Sequence, residues 1–263
     1  MAHFGISARE IESETGRRTI NLGCHAALGS AYMLYEAQRV AKPGDTVLLV
    51  LEYELYNHGK LDRDWSDVLL LDYIVARAPD YYFHRLSLAE QWNVLMFTSS
   101  ERLKQGLKKR RQPEPPHDPI AIYDVREVND WGDQTHHAKT NRPAERRYVL
   151  NPRSELAYGL TKKHKEAFAL IQSFSRWARA SHIRVLAAYP NLCDQPEYHG
   201  PAARQTAQTI KDCFARLDVP VVGTYTDALF PADQFFDTYY HLTEEMALER
   251  TRRLSAQLRP YLN

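Results

Sequence analysis

The sequence predicts an α/β fold built on a parallel sheet, because apolar strand-like runs alternate with amphipathic helical segments near both ends of the chain. Two runs are clearest, residues 46–51 (TVLLVL) and residues 183–189 (IRVLAAY). Continuous apolar runs of this length are typical of parallel strands that helices cover on both faces. The 263 residues can bury a sizeable core. We therefore expect a single α/β domain over residues 1–263.

The N-terminal part is predicted to begin with a helix. Ser7 is suited to be its N-cap, Glu10 stands at capping-box spacing, and Gly16 is suited to end it. The predicted elements of this part are a helix over 7–16, a short strand over 18–22, a helix over 28–41 and the strand over 46–51.

The C-terminal part repeats the alternation of strands and helices. Its last helix has Thr243 as the predicted N-cap. The predicted elements are helices over 161–181, 201–217 and 243–258, with strands over 183–189 and 219–222.

Residues 52–160 separate these two parts and are predicted to form a cap or lid. An insertion after the carboxyl end of a parallel strand lies above the binding crevice. Helical pieces are expected near 66–77 and 87–103, and the Pro-rich segment 112–119 is expected to be a surface excursion. The basic run 108–111 (KKRR) is interpreted as a solvated helix end, with contact to anionic polysaccharide or phospholipid as the alternative.

Composition excludes several classes of function. Lys plus Arg is 34 and Asp plus Glu is 33, a net charge of +1, which argues against a protein built mainly to bind nucleic acid or anionic lipid. Three scattered cysteines do not make a disulfide framework or a zinc site. The sequence has no Gly-x-Ser-x-Gly elbow and no P-loop, and neither a metal nor a cofactor is expected.

The strongest local signal for chemistry is Asp237, which stands four positions before His241 ahead of the last predicted helix. A carboxylate beside an imidazole fixes its tautomer and stabilises its protonated form, as a general base requires. The alternative is that Asp237 caps a turn and His241 packs at the helix entry, and on these residues alone that alternative is favoured. Cys24 is interpreted as a small buried hydrophobe, and His136 and His137 as a surface pair.

Several segments in order resemble the SGNH (GDSL-type) hydrolase superfamily, in its bacterial branch associated with surface polysaccharides. The segments are 4–7 (FGIS), 21–23 (NLG), 42–45 (KPGD), 52–54 (EYE), 129–133 (NDWGD), 188–191 (AYPN) and 236–242 (FDTYYHL). The resemblance implies a three-layer sandwich with a flavodoxin-like sheet, and an acyl-ester hydrolase or O-acyltransferase acting on acylated, O-acetylated carbohydrate. It also implies His241 as general base, Asp237 as its orienting carboxylate, Gly23 in the oxyanion hole and a location in the cell envelope.

The sequence departs from the family pattern in two places. Glu52 stands where the family has an asparagine that helps form the oxyanion hole, and a carboxylate cannot donate a hydrogen bond unless it is protonated. Asn129 is the candidate to replace that donor. In the family, a first strand and a serine block precede a segment like 2–7, so we expect this chain to lack that strand and the serine nucleophile.

Two explanations for the missing serine remain open. A start codon assigned at an internal methionine would leave the active enzyme, and any membrane segment, upstream of Met1; we favour this over a shortened, inactive protein. The sequence of 263 residues is therefore expected to be inactive by itself. The alternative function is a non-catalytic carbohydrate-binding or assembly protein that uses the same crevice, and a second alternative is an unrelated α/β protein.

Overall fold

A computed structural model describes residues 2–58, 74, 78–109, 127–143 and 154–262. These residues form a mixed α/β structure with a three-stranded parallel sheet and a separate two-stranded parallel sheet. The predicted α/β class with a parallel sheet is therefore confirmed.

The central sheet has the order β1, β2, β4, and its strands occupy the predicted apolar runs. In register, Val47 lies opposite Val185, and Ala187 lies opposite Val221. The smaller sheet pairs β3 with β5. The strands are β1 (Thr46–Leu49), β2 (Arg184–Ala188), β3 (Leu192–Cys193), β4 (Val221–Val222) and β5 (Leu229–Phe230).

The helices of the described residues include every helix predicted over residues 2–50 and 160–262. They are α1 (Ala2–Gly5), α2 (Ala8–Thr15), α3 (Gly29–Val40), α4 (Pro79–Arg85), α5 (Leu88–Lys109), α6 (Glu155–Tyr158), α7 (His164–Ala180), α8 (Pro201–Ala215) and α9 (Glu244–Leu262). Helix α2 begins as predicted, since the hydroxyl of Ser7 accepts a hydrogen bond from the Glu10 amide at 3.2 Å. It ends at Gly16, whose φ of 67° places it in the left-handed region.

Strand β2 shows how the core is arranged, because its alternate residues face different helices. Val185 and Ala187 belong to the main apolar cluster, together with residues of α3, α7 and α8. Leu186 and Ala188 belong to a second cluster, together with residues of α2 and α9. Helical residues therefore pack against both sides of the central strand.

The predicted strand over 18–22 is wrong, since residues 17–25 form neither strand nor helix. Their amide groups bond elsewhere: the Asn21 amide donates to the Trp131 carbonyl at 2.7 Å, and the Thr19 amide donates to the Glu12 carboxylate at 3.0 Å. The side chain of Ile20 is 47% exposed. The amides of Thr19 and Asn21 thus bond to Glu12 and Trp131 and not to a neighbouring strand.

The region over 52–160 is described only in part. Helix α5 confirms the helical piece expected near 87–103, whereas most of the piece near 66–77, the Pro-rich segment 112–119 and residues 110–111 of the basic run lie outside the described residues. Tyr53 and Leu156 are fully buried in the main core. Both ends of this region thus belong to the core of the domain, and its role as a cap stays a prediction.

Candidate functional site

A tight loop between β5 and α9 carries both Asp237 and His241. An antiparallel bridge between Phe235 and Leu242 closes the loop. Inside it, the Phe236 amide donates to the His241 carbonyl at 2.7 Å, and the His241 amide donates to the Thr238 carbonyl at 3.3 Å. These backbone bonds fold the segment back on itself, so that two side chains four positions apart meet.

The imidazole of His241 is hydrogen bonded to Asp237. Nδ1 of His241 lies 2.8 Å from Oδ1 of Asp237, and the two side chains are 15% and 16% exposed. With its proton on Nδ1 donated to the carboxylate, the neutral ring has its basic lone pair on Nε2. Burial lowers the pKa of His241 below 6.5, although the bond to Asp237 acts in the opposite direction. The ring is therefore held neutral near pH 7 and its basic nitrogen is defined.

The ring of Phe4 covers one face of the imidazole. The centroids of Phe4 and His241 are 4.1 Å apart and the rings are within 13° of parallel. Phe4 belongs to helix α1, which is more than 200 positions away in the sequence. This contact removes water from the imidazole and brings the start of the chain to the candidate site.

Further contacts hold the loop against the segments that follow β1 and β2. The hydroxyl of Tyr240 accepts from the Tyr53 amide at 3.2 Å, and the carbonyl of Tyr239 accepts from the Cys193 amide at 2.9 Å. The side-chain amide of Asn191 donates to the carbonyl of Tyr240. The Asp237–His241 pair thus lies at the carboxyl ends of the parallel strands, where α/β sheets bind ligands.

Two further carboxylates lie near the pair. Glu52 follows β1, and its negative charge raises the pKa of His241. Glu54 accepts a hydrogen bond from the Tyr239 hydroxyl at 2.9 Å. Burial raises the pKa of Glu54 to about 7, and the charges of Glu155 and Glu52 raise it further. The rim of the site therefore contains a carboxyl group that titrates near neutral pH.

Gly23 and Asn129, two of the residues predicted for the oxyanion hole, make hydrogen bonds within turns. The Gly23 amide donates to Oδ1 of Asn21 at 2.9 Å. Oδ1 of Asn129 accepts from the amides of Trp131 and Asp133, each at 3.0 Å. Both side-chain contacts stabilise local loop structure. An oxyanion role for Gly23, Glu52 and Asn129 stays a prediction.

The expectation that His136 and His137 form a surface pair is wrong for His137. His136 is exposed, whereas His137 is 3% exposed and its ring nitrogens each lie 2.9 Å from a carbonyl oxygen, those of Leu242 and Gln134. His136 has a φ of 64°, which turns the two neighbours in different directions. The contact between His137 and Leu242 supports the loop directly after His241.

Cys24 agrees with its interpretation as a small hydrophobe. It packs against the cluster that contains Leu28 and Tyr32. Burial raises the pKa of its thiol to about 12, so the thiolate form that a nucleophile needs is scarce at neutral pH.

Sequence reasoning missed Phe4, His137, Asn191 and Arg250 as residues around the site. Phe4, His137 and Asn191 reach the site from distant parts of the chain, whereas Arg250 lies on α9 and bonds to the carbonyl of Gly5 beside Phe4. The only sequence signal near them is the position of Phe4 and Asn191 within segments that carry the family resemblance.

No protein-family model, no curated protein and no solved structure matches this chain. None of the helices in the described ranges is both long and apolar enough to cross a bilayer. The same ranges contain no group of three or more His, Cys, Asp and Glu side chains placed to hold a metal ion.

Proposed function

We propose that this chain carries the Asp–His half of an SGNH-type acyl-ester hydrolase or O-acyltransferase site, acting on acylated carbohydrate. The observation that supports the proposal is the buried hydrogen bond between Asp237 and His241 at the carboxyl ends of the sheet strands. A buried, neutral and oriented imidazole is what proton transfer to and from a hydroxyl group requires.

In the proposed reaction, Nε2 of His241 takes the proton of a hydroxyl nucleophile as its oxygen attacks the ester carbonyl. Asp237 stabilises the imidazolium that forms. His241 then gives the proton to the oxygen of the leaving sugar, and the acyl group remains on the nucleophile as an ester. Water or an acceptor hydroxyl attacks this ester in the second half and loses its proton to His241. His241 gives that proton to the nucleophile's oxygen as its bond to the acyl group breaks.

The family resemblance predicts the nucleophile as a serine directly ahead of Met1. The position of Phe4 against His241 supports this prediction, because helix α1 begins only two residues before Phe4. A residue placed just before α1 is only a few positions along the chain from Phe4, which contacts the imidazole. Ser7 is engaged elsewhere, since its hydroxyl donates to Asp133 at 3.1 Å.

The proposal also includes the three-layer, flavodoxin-like arrangement. Two observations support it: the strand order β1, β2, β4 follows the chain order, and alternate residues of β2 pack against two different sets of helices.

A non-catalytic carbohydrate-binding protein is the second candidate. It is favoured by two residues at the predicted oxyanion hole: the Gly23 amide donates within a turn, and Glu52 is a carboxylate where the family has an asparagine. An oxyanion needs hydrogen-bond donors, whereas a carboxylate suits the hydroxyl groups of a sugar.

The test compares the chain of 263 residues with the same chain extended by an apolar strand and Gly-Asp-Ser ahead of Met1. Acetate release from an O-acetylated oligosaccharide is measured, together with binding of that oligosaccharide. We expect release only by the extended protein, and a loss of about 10²–10⁴-fold in His241→Asn. Binding without release by both proteins would instead establish the carbohydrate-binding function, and neither binding nor release would reject both.

A further inference from the structure

Arg250 is a buried cation on α9 whose recorded hydrogen bonds go to neutral carbonyl groups. Its side chain is 5% exposed, and its guanidinium donates to the carbonyl of Gly5 at 2.7 Å and to the carbonyl of Tyr189 at 2.9 Å. Burial lowers the pKa of Arg250 to about 10. Burying a charge costs free energy, so we look for a role of Arg250 beyond filling space in the core.

The two carbonyl groups belong to elements that meet at the candidate site. Gly5 is the last residue of α1, next to Phe4, and Tyr189 follows the end of β2. Thr251, the next residue of α9, accepts a hydrogen bond from the Ser7 amide at 3.0 Å. Helix α9 therefore holds the polypeptide on both sides of Ile6 and fixes the C-terminal end of α1.

We propose that Arg250 is a positioning residue for His241, which it reaches through the carbonyl of Gly5 and the ring of Phe4. By fixing Gly5, Arg250 keeps Phe4 stacked on the imidazole, and this stacking keeps the imidazole away from water. The inference rests on the proposed function, since it assigns a residue that orients the proposed general base.

Asn191 completes the connection from the other side. Its Oδ1 lies so close to Gly5 that a Cβ atom built at that position would be 2.1 Å away. Its side-chain amide donates to the carbonyl of Tyr240, the neighbour of His241. Arg250 and Asn191 thus hold Gly5 and the histidine loop in one arrangement, which a side chain at position 5 would not allow.

In the described part of the chain, three elements contribute charged or titratable groups around His241. Asp237 lies on its own loop, Glu52 follows β1, and His3 lies on α1, where its Nδ1 is 2.7 Å from the carbonyl of Gly132. Burial and the positive charge of the N-terminal amino group lower the pKa of His241, whereas Asp237 and Glu52 raise it. Loss of the Phe4 ring would remove part of the burial and leave both carboxylates in place, so the pKa of His241 should rise.

The experiment is an NMR titration of His241 in the full chain, which needs no turnover and so is independent of whether the proposed reaction occurs. The chain has 11 histidines, and the His241 signal is assigned by its loss in His241→Asn. Arg250→Met removes both hydrogen-bond donors, and we expect it to raise the pKa of His241 by about half a unit or more. Phe4→Ala should raise it equally, and the double variant should add nothing further.

Arg252→Met is the matched control. Arg252 lies on the same helix and binds Glu10 at 2.6 Å, but its side chain is 52% exposed. It should leave the pKa of His241 unchanged. Arg250→Lys keeps one donor group and should give a smaller shift than Arg250→Met.

An unchanged pKa of His241 in folded Arg250→Met, with the nuclear Overhauser contacts between the rings of Phe4 and His241 retained, would overturn the proposal. If Arg250→Met does not fold, Arg250→Lys and Phe4→Leu carry the same test. In that case, a pKa of His241 equal to that of the unmodified chain in either Arg250→Lys or Phe4→Leu would overturn it.

Discussion

Two Asp–His pairs in this structure have the same hydrogen-bond length and different surroundings. Asp237 and His241 are 2.8 Å apart, as are Asp194 and His199. The side chains of the first pair are 15–16% exposed, whereas those of Asp194 and His199 are 38% and 55% exposed. The first imidazole is bonded through Nδ1 and stacked on Phe4, and the second is bonded through Nε2 near the surface.

The difference shows that the distance between a carboxylate and an imidazole does not by itself make a site. In water the charge of Asp194 is screened, and an exposed pair is worth at most about 1 kcal/mol. At His241 the loop bonds, Phe4 and the segments after β1 and β2 exclude water. The following predictions test what burial does at this site and how its effects differ from those at the exposed pair.

The largest expected effect is on the proposed reaction. In the extended protein, Asp237→Asn should slow acetate release by about 10²–10⁴-fold, because the imidazolium that forms during proton transfer loses its carboxylate. Asp194→Asn is the matched control and should leave the rate unchanged. Equal effects of the two substitutions would show that the buried pair has no special role.

Gly5→Ala should expose the first pair and so make it resemble the second. The added Cβ would meet Oδ1 of Asn191 at 2.1 Å, which forces Asn191 or α1 to move and costs about 1–3 kcal/mol of unfolding free energy. Urea denaturation measures the loss of stability, and solvent-exchange broadening of the His241 ring reports its exposure. Full stability together with an unmoved His241 signal would contradict the arrangement described here.

Glu54 provides a test of burial that depends on pH. Its folded-state pKa of about 7 lies above the usual 4.5, so the folded state holds this proton more tightly than the unfolded state. The contribution of Glu54 to stability is present below about pH 4.5 and is lost as the pH rises through about 7. Glutamine does not titrate, so Glu54→Gln keeps this contribution at every pH. Its unfolding free energy at about pH 8 should exceed that of the unmodified chain by about 1–3 kcal/mol.

The advantage of Glu54→Gln should disappear at about pH 4, where Glu54 is protonated in both states. Glu166→Gln, at an exposed position of α7, is the control and should show no such pH dependence. Thermal unfolding over the pH range measures both variants. An advantage of Glu54→Gln that is the same at every pH would mean that Glu54 does not titrate as a buried group.

The smallest expected effect is at the exposed pair. Asp194→Asn should change the unfolding free energy by less than about 1 kcal/mol, and the change should decrease at high salt. Asp237→Asn should cost about 1–3 kcal/mol with little dependence on salt, because it removes a charged acceptor from a mostly buried histidine. Chemical denaturation at two salt concentrations compares them, and the reverse order of costs would contradict the difference in burial.

Local signals predicted the regular elements well. Apolar runs placed β1 and β2, and Ser7 and Gly16 placed both ends of α2. The strand over 18–22 was mispredicted because the bonds of Thr19 and Asn21 go to Glu12 and Trp131, the latter more than 100 positions away. The pattern within five residues contains no information about such distant acceptors.

For the site, the residues alone favoured Asp237 as a turn cap and His241 as a packed residue, and only the family resemblance predicted that the two side chains meet. The residues alone could not distinguish this pair from Asp194 and His199, since the burial that separates them comes from Phe4, Tyr53 and Asn191 in other parts of the chain.

The pH dependence of acetate release by the extended protein tests most directly the claim that buried His241 acts as the base. The rate should rise with pH through an apparent pKa below 6.5 that equals the NMR pKa of His241, as its burial requires. Asp237→Asn should shift both values down together, and Asp194→Asn should shift neither. A profile whose apparent pKa differs from that of His241, or does not respond to Asp237→Asn, would contradict the account.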